Sequence, residues 1–86
     1  MALIKWDLGA TKDLDAIDFT IAKKIVLKVS WLVENFHDIS PELLRYDLKG
    51  VYKLRVGDYR ILYTVEDELI RIRMVDHRSR IYKRMR

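Results

Sequence analysis

The 86-residue sequence contains no cysteine, only one proline and only two histidines. Without cysteine, the chain can form neither a disulfide bond nor a thiolate metal site. His37 and His77 are too far apart in the sequence to predict a metal cluster, so we expect no metal and no cofactor. No apolar run approaches the roughly 20 residues of a membrane-spanning helix, and the N-terminus lacks the apolar core of a signal peptide. These absences predict a cytoplasmic protein with no membrane partner.

The length predicts one domain, residues 1–86, and positive charge is concentrated in its C-terminal half. Residues 1–48 hold six Lys and Arg against eight Asp and Glu, a net charge of −2. Residues 49–86 hold eleven against five, a net charge of +6. Such a local positive field suits a polyanion, either a nucleic acid or an acidic protein. A solvated basic surface is the simpler alternative, and charge alone favours it.

The stretch from Leu48 to Val65 predicts a β-hairpin whose tight turn is Gly57-Asp58. Because side chains alternate along a strand, the two faces of this hairpin differ in chemistry. The apolar face is predicted to carry Tyr52, Leu54, Val56, Tyr59, Ile61, Tyr63 and Val65. The opposite face is predicted to carry three cations, Lys53, Arg55 and Arg60.

The N-terminal half predicts one strand followed by two helices. Ala2 to Trp6 alternates as a short strand, and Thr11 is predicted to cap a short helix that ends near Ala16 or Ile17. Asp18 is predicted to cap a longer helix. Its core-facing side is expected to be the i, i+3, i+4 stripe formed by Ala22, Ile25, Val26, Val29, Leu32, Val33 and Phe36.

The remainder predicts one helical turn and one more strand. Ser40-Pro41-Glu42 has the composition of a helix start. Leu69 to Val75 alternates as a strand in which Ile70, Ile72 and Met74 face one way and Arg71 and Arg73 the other. The predicted fold is therefore α+β: an N-terminal strand and a two-helix hairpin packed on one face of a mainly antiparallel four-stranded sheet.

Leu27 and Trp31 lie outside the core stripe of the longer helix and form their own i, i+4 pair. Scattered surface hydrophobes, or packing against the first helix, would explain them without a function. A docking patch for a partner protein is the alternative, because a small domain that exposes Trp beside Leu is unusual.

The sheet face turned away from the helices is expected to gather many cations. Like charges on neighbouring strands repel each other by a few tenths of a kcal/mol or more per pair, and a bound polyanion relieves that repulsion. The sequence shows no Ser or Cys nucleophile with a base and no Gly-rich phosphate loop. RNA, however, carries its own nucleophile in the 2′-hydroxyl, so a protein need only orient it and stabilise charge on the phosphate. The residues expected on or beside this face are Lys53, Arg55, Arg60, Arg71, Arg73, Arg78 and Tyr82.

The hairpin LKGVYKLRVGDYRILYTV, followed by a strand and then HRSRIY, resembles the RelE-type toxins of bacterial and archaeal toxin–antitoxin systems, within the RelE/ParE superfamily. The resemblance covers nearly the whole chain. It implies a RelE-like fold and a ribosome-dependent, metal-independent mRNA endonuclease that inhibits translation. It also implies a cognate antitoxin that wraps the toxin, and a complex that binds operator DNA through the antitoxin. We expect an amphipathic helix of that antitoxin to bury Leu27 and Trp31 or adjoining apolar surface, and its acidic residues to cover the basic face.

The same resemblance assigns roles to single residues. Arg78 would stabilise the transition state or the leaving group, and Tyr82 would stack on a base or orient the 2′-hydroxyl. Phosphates would be held by Lys53, Arg55 and Arg60, with Arg60 counted among the catalytic residues; His77 would bind RNA or act as an acid. The sequence departs from some members in two respects. Arg stands at position 55 where those members have Lys, and Arg cannot serve as a proton donor at ordinary pH. The spacing from Arg78 to Tyr82 is also shorter.

Two other functions compete with the nuclease. A ParE-like poison of DNA gyrase would share the fold, since fold often outlasts function. A non-catalytic RNA- or protein-binding module would show salt-sensitive binding without cleavage.

Overall fold

The computed structural model describes residues 2–43 and 50–84. These residues form one sheet with helices packed on both of its faces. A short 3₁₀ turn, Phe36–Asp38, follows the second helix. The helices and strands in chain order are β1 (Leu3–Trp6), α1 (Leu8–Asp15), α2 (Phe19–Glu34), β2 (Glu42–Leu43), β3 (Val51–Val56), β4 (Tyr59–Glu66), β5 (Leu69–His77) and α3 (Arg78–Arg84).

The strands form a mixed sheet in the order β1-β5-β4-β3-β2. β3, β4 and β5 form the predicted antiparallel meander. The N-terminal strand joins it by pairing with β5 in parallel, with Leu3 opposite Leu69 and Trp6 opposite Ile72. The predicted α+β fold is confirmed, and the two-residue β2 adds a fifth, very short strand beside β3.

The helical hairpin begins earlier in the chain than predicted. The second helix is capped by Asp18 as expected, since its carboxylate accepts a hydrogen bond from the Thr20 amide at 3.1 Å. The first helix, however, starts at Leu8, so the predicted cap at Thr11 is wrong. The cap position belongs to Asp7, whose amide still donates to the Ile72 carbonyl of the sheet at 2.9 Å. The chain therefore turns into α1 directly after its last sheet hydrogen bond.

One apolar core lies between α1, α2 and the sheet. α2 contributes Ile25, Val29 and Leu32, each no more than 3% exposed. Two members of the predicted stripe behave differently: Val26 is 41% exposed, and Phe36 lies beyond the end of α2, in the 3₁₀ turn. The sheet contributes Ile61, Tyr63, Ile70, Ile72 and Val75 to this core, with Tyr52, Leu54, Val56, Tyr59 and Val65 packed at its margin.

A bulge in β5 reverses the predicted direction of Met74. Leu62 pairs with Met74 and the next residue, Tyr63, pairs with Ile72, so Arg73 is the extra residue on β5. An extra residue shifts the alternation of side chains by one. Met74 therefore joins the apolar cluster on the opposite face from Ile70 and Ile72.

The third helix was not predicted, and it covers part of the sheet face that was expected to lie open. Ile81 is fully buried against Leu62, and the same small cluster includes Val51, Met74 and Tyr82. Leu62 and Tyr63 are adjacent in β4 and point to opposite faces, so α3 lies on the face away from α1 and α2. This helix therefore covers the part of the cationic face around Leu62.

The predicted helical turn at Ser40-Pro41-Glu42 is also wrong, because Glu42 and Leu43 pair with β3 as a strand. The remainder of that connection, and the first two residues of the predicted hairpin stretch, lie outside the described residues. In the part of the chain that is described, no helix is both long enough and apolar enough to cross a membrane.

Candidate nucleic-acid interface

The turn between β3 and β4 orients Arg60. Gly57 has a φ of 56°, a value that L-residues with a side chain adopt only at a cost. The guanidinium of Arg60 folds back over this turn and donates to the carbonyl oxygens of Gly57 and Tyr59, both at 2.9 Å. Arg55 lies directly opposite Arg60 in the sheet register. Two arginines are thus held side by side at the tip of the hairpin.

Arg78 begins α3 and is anchored to the same turn. Its amide donates to the Asp58 carbonyl oxygen at 2.8 Å, and its Nε lies 3.7 Å from the Asp58 carboxylate. Both side chains are more than 60% exposed, so the ion pair is weak and open to competition from a stronger anion. The backbone contact holds the start of α3 beside the turn, and the guanidinium stays accessible.

His77 caps the start of α3. Its Nδ1 accepts a hydrogen bond from the Ser79 amide at 3.1 Å and lies 2.9 Å from the Ser79 hydroxyl. An amide can only donate, so Nδ1 is the unprotonated nitrogen and Nε2 carries the proton of the neutral ring. The ring also packs edge-to-face on Tyr59, with centroids 5.4 Å apart. Only Nε2–H is therefore available to a ligand.

Tyr82 lies one helical turn after Arg78 on α3, and its ring is half-buried. It packs on the cluster around Leu62. Lys53 is directly opposite Leu62 in the sheet and is also half-buried. Lys53 and Tyr82 consequently border the same apolar cluster and lie on the same face of the sheet as Leu62.

A network of acids and arginines holds the far end of α3. Arg84 lies 3.0 Å from Asp13 of α1 and 3.1 Å from Asp76 of β5. Asp76 also accepts from Arg80 at 3.0 Å and from the His77 amide at 2.7 Å. Asp13 accepts in addition from the Val75 amide at 3.1 Å. This network joins α1, β5 and α3, and so helps to position Arg78 and Tyr82.

The network shifts two pKa values. Burial alone would raise the pKa of Asp76, but hydrogen bonds from the His77 amide, Arg84 and Arg80 together lower it below the usual range. Burial would likewise lower the pKa of Arg84, yet its contacts with Asp13 and Asp76 raise it. Each of these two pKa shifts favours the charged form of its own group, the Asp76 carboxylate and the Arg84 guanidinium.

Two arginines predicted for the cationic face lie beside β1, away from the hairpin tip. Arg71 and Arg73 both bind the carboxylate of Asp7, each at 3.1 Å. They tie β5 to the junction of β1 and α1. The candidate site therefore keeps the six residues to which the sequence assigned roles: Lys53, Arg55, Arg60, His77, Arg78 and Tyr82.

The remaining predicted residues, Leu27 and Trp31, lie on α2 and are 61% and 40% exposed. They do not join the cluster that contains Tyr82, but they line a groove that reaches Arg55 at the edge of β3. Sequence reasoning missed Asp58, Asp76 and Arg84. Only the i, i+4 spacing of Asp76 and Arg80 marked any part of that network in the sequence.

The site can bind and neutralise phosphate at several positions. Guanidinium groups pair with phosphate oxygens through two parallel hydrogen bonds. Tyr82 adds an aromatic surface with a hydroxyl, and His77 adds one N–H donor. Among the described residues, no group of three His, Asp or Glu side chains is placed to hold a metal ion.

Comparison with protein families matches this chain to a family of toxins. The family model described as the ParE toxin of type II toxin–antitoxin systems matches residues 4–82. Toxin RelG of Mycobacterium tuberculosis is 42% identical over 57 residues, which cover 57% of this chain. That match spans 66% of RelG, slightly less than two thirds of its length.

Solved structures agree on the fold. The toxin–antitoxin complex RelBE2 of Mycobacterium tuberculosis contains a chain with a TM-score of 0.75 and 28% identity, over 91% of this chain and 92% of that one. The chromosomal ParDE system of P. aeruginosa contains one with a TM-score of 0.76 and 22% identity, over 90% of this chain and 96% of that one. At 22% identity, the second likeness concerns the fold alone.

Proposed function

Because the chain belongs to the ParE toxin family of type II toxin–antitoxin systems, within the RelE/ParE superfamily, we propose that it is a ribosome-dependent mRNA endonuclease. It cleaves mRNA by attack of the 2′-hydroxyl on the adjacent phosphate and thereby inhibits translation in the cytoplasm. This reaction needs no metal, since the nucleophile belongs to the substrate. The identity to RelG and to a chain of the RelBE2 complex supports the proposal.

The observation that carries the proposal is the convergence of Arg60 and Arg78 on one turn. Arg60 contacts the Gly57 carbonyl and Arg78 contacts Asp58, so two guanidinium groups flank one small region. A phosphate that enters there would displace the weak Asp58 contact of Arg78. Negative charge building on the phosphate oxygens would then be stabilised by donors already in place.

The remaining residues take supporting roles. Lys53 and Arg55 hold neighbouring phosphates, and Tyr82 orients a nucleotide by stacking or by contact with the 2′-hydroxyl. His77 contributes its Nε2–H as a donor to RNA. Tyr82 is half-buried and packs against the cluster of Leu62 and Ile81, which restricts the orientations that its ring can adopt.

The partners follow from the same proposal. The toxin acts on mRNA at the ribosome and is neutralised by a cognate antitoxin. Complexes of this kind are named in the solved structures of RelBE2 and of ParDE. The toxin–antitoxin complex in turn binds operator DNA through the antitoxin.

Purified toxin, translating ribosomes and mRNA provide the test, with primer extension as the readout. Arg78→Ala and Arg60→Ala should each lower the cleavage rate by about 100-fold or more, the range seen when one charge-stabilising donor is removed. Lys12→Ala, an exposed cation on α1, serves as the matched control and should cleave normally. Full activity of both arginine variants would overturn the assigned site.

Gyrase poisoning is the second candidate, and the match to the ParE family model favours it. The two functions differ in their target. Inhibition of gyrase supercoiling by the toxin, with mRNA left intact at ribosomes, would replace the nuclease by this alternative. Salt-sensitive RNA binding without cleavage of mRNA or inhibition of gyrase would instead identify a non-catalytic binding module.

A further inference from the structure

A groove with a basic rim runs between α2 and the edge of β3. Its cavity volume is about 370 Å³, and it is lined by Lys24, Leu27, Lys28, Trp31, Arg55 and Val56. We call it the basic groove. It lies on the opposite side of the hairpin tip from α3, so it is distinct from the cluster that contains Tyr82.

The floor of the basic groove is apolar and accessible. Leu27 is 61% exposed and Trp31 is 40% exposed, and Val56 completes the apolar lining. Apolar surface left in water is unfavourable in proportion to its area. An apolar side chain from a partner would recover that free energy when it covers these residues.

The rim of the basic groove has one sign of charge. Lys24, Lys28 and Arg55 line it, and none of the described residues that line it is acidic. An occupant with Asp or Glu beside its apolar anchor would therefore be complementary in charge as well as in polarity.

The position of Lys28 favours a protein occupant over RNA. Its Nζ lies 4.0 Å from the centroid of the Trp31 ring, so the ammonium group covers one face of the ring. A base that stacks on that face would have to displace this cation–π contact. Leu27, which offers RNA neither stacking nor hydrogen bonds, is by contrast a good partner for an aliphatic side chain.

We propose that the basic groove binds an acidic, amphipathic segment of the antitoxin. An aliphatic side chain of that segment packs between Leu27 and Trp31. Its carboxylates pair with Lys24 and Lys28 at the rim and with Arg55 at the sheet edge. This inference rests on the proposed function, because it takes the antitoxin as the partner.

Occupation of the groove has a consequence for the RNA site. Arg55 lines the groove and is also directly opposite Arg60 at the hairpin tip. A carboxylate that binds Arg55 competes with a phosphate for the same guanidinium. The segment can thus weaken RNA binding while Arg78 and Tyr82 remain uncovered.

The test uses the full-length toxin and the full-length protein encoded beside it, with the dissociation constant measured by calorimetry. Leu27→Asp and Lys24→Glu should each raise Kd by tenfold or more, and Lys24→Glu should make Kd less dependent on salt. Lys12→Glu is the matched control for charge reversal on an exposed helical lysine and should change Kd less than twofold. Thermal unfolding of each variant checks that the fold is retained; all three sites are exposed.

Amide hydrogen exchange on the same complex locates the contact directly. Protection of the backbone in residues 24–31 and 55–56 on complex formation is the expected result. The two proteins could bind each other without any protection of these amides and without any effect of Leu27→Asp on Kd. In that case the groove assignment is wrong while the proposed function stands. If the encoded protein neither binds nor neutralises the toxin, the proposed antitoxin partnership itself fails.

Two other occupants would show themselves in separate measurements. Loss of oligouridylate binding on Trp31→Ala to the same extent as on Arg60→Ala would make the groove an RNA surface. Concentration-dependent self-association of the isolated toxin that Leu27→Asp abolishes would assign it to a second copy of this chain. Either result would overturn the antitoxin assignment.

Discussion

The amide of Arg78 donates a hydrogen bond to the carbonyl oxygen of Asp58 at 2.8 Å, and the side chains of the same two residues face each other at 3.7 Å. The first contact fixes the start of α3 against the hairpin turn. The second partly neutralises Arg78 with an exposed acid. The position of Arg78 and the neutralisation of its charge therefore depend on different contacts. A substitution of the Asp58 side chain removes the ion pair and leaves the backbone hydrogen bond in place.

Asp58→Ala is therefore expected to strengthen RNA binding. Removal of the carboxylate leaves Arg78 in place and ends its competition with phosphate. An exposed pair of this kind contributes about 0.2–1 kcal/mol, so Kd for oligouridylate should fall by a factor of about 1.4 to 5. Asp15→Ala changes the net charge equally at an exposed position of α1 and should leave Kd nearly unchanged in fluorescence anisotropy. Equal effects of both variants would mean that only the net charge matters.

Gly57→Ala should destabilise the protein, whereas Gly9→Ala should stabilise it. A Cβ at either position meets nothing within 4 Å, so backbone conformation alone decides the outcome. Gly57 has a φ of 56°, which costs an L-residue about 1–2 kcal/mol. Gly9 lies within α1, where Ala is favoured by about 0.5–1 kcal/mol. Urea unfolding measures both, and a stabilised Gly57→Ala would show that the turn adopts another conformation.

The Asp76 network should make stability depend on pH in the acid range. The pKa of Asp76 is lowered in the folded protein, so its contribution is present above the unfolded pKa of about 3.9. It is lost as the pH falls through the lower folded-state pKa, because protonation removes the acceptor for Arg80 and Arg84. Asp76→Asn should cost about 1–3 kcal/mol at pH 7. Its difference from the unsubstituted protein should shrink below pH 4 in denaturant titrations; a constant difference would contradict this account.

Ile81→Ala should loosen α3. Ile81 is fully buried and anchors a helix of only seven residues, which would not be stable alone. Truncation of a buried Ile costs about 2–5 kcal/mol. In this variant the amides of residues 79–84 should therefore exchange with solvent faster than those of α2, and the rate of RNA cleavage should fall as well. Leu27→Ala, at an exposed position of α2, should change stability by less than about 0.5 kcal/mol.

Local sequence patterns predicted the elements that depend on neighbouring residues. The Gly57-Asp58 turn needs a positive φ, and the alternation on either side of it defines two faces of the hairpin. Asp18 capped α2 as expected, because a cap depends only on residues in the next turn. The cations Lys53, Arg55 and Arg60 could be assigned to one face for the same reason.

The tertiary structure decided the features that depend on contacts between distant residues. One extra residue in β5 turned Met74 to the other face, and nothing in the sequence around Arg73 signals such a bulge. Asp7 pairs with Arg71 and Arg73 across more than 60 positions of the chain, so these two arginines do not join the cations at the hairpin tip. The short α3 is stable because Ile81 is buried against the sheet and Arg84 pairs with Asp13 and Asp76. By itself, therefore, the sequence determined which residues share a strand face, through backbone geometry, whereas long-range packing and ion pairing decided which of the cations meet at the hairpin tip.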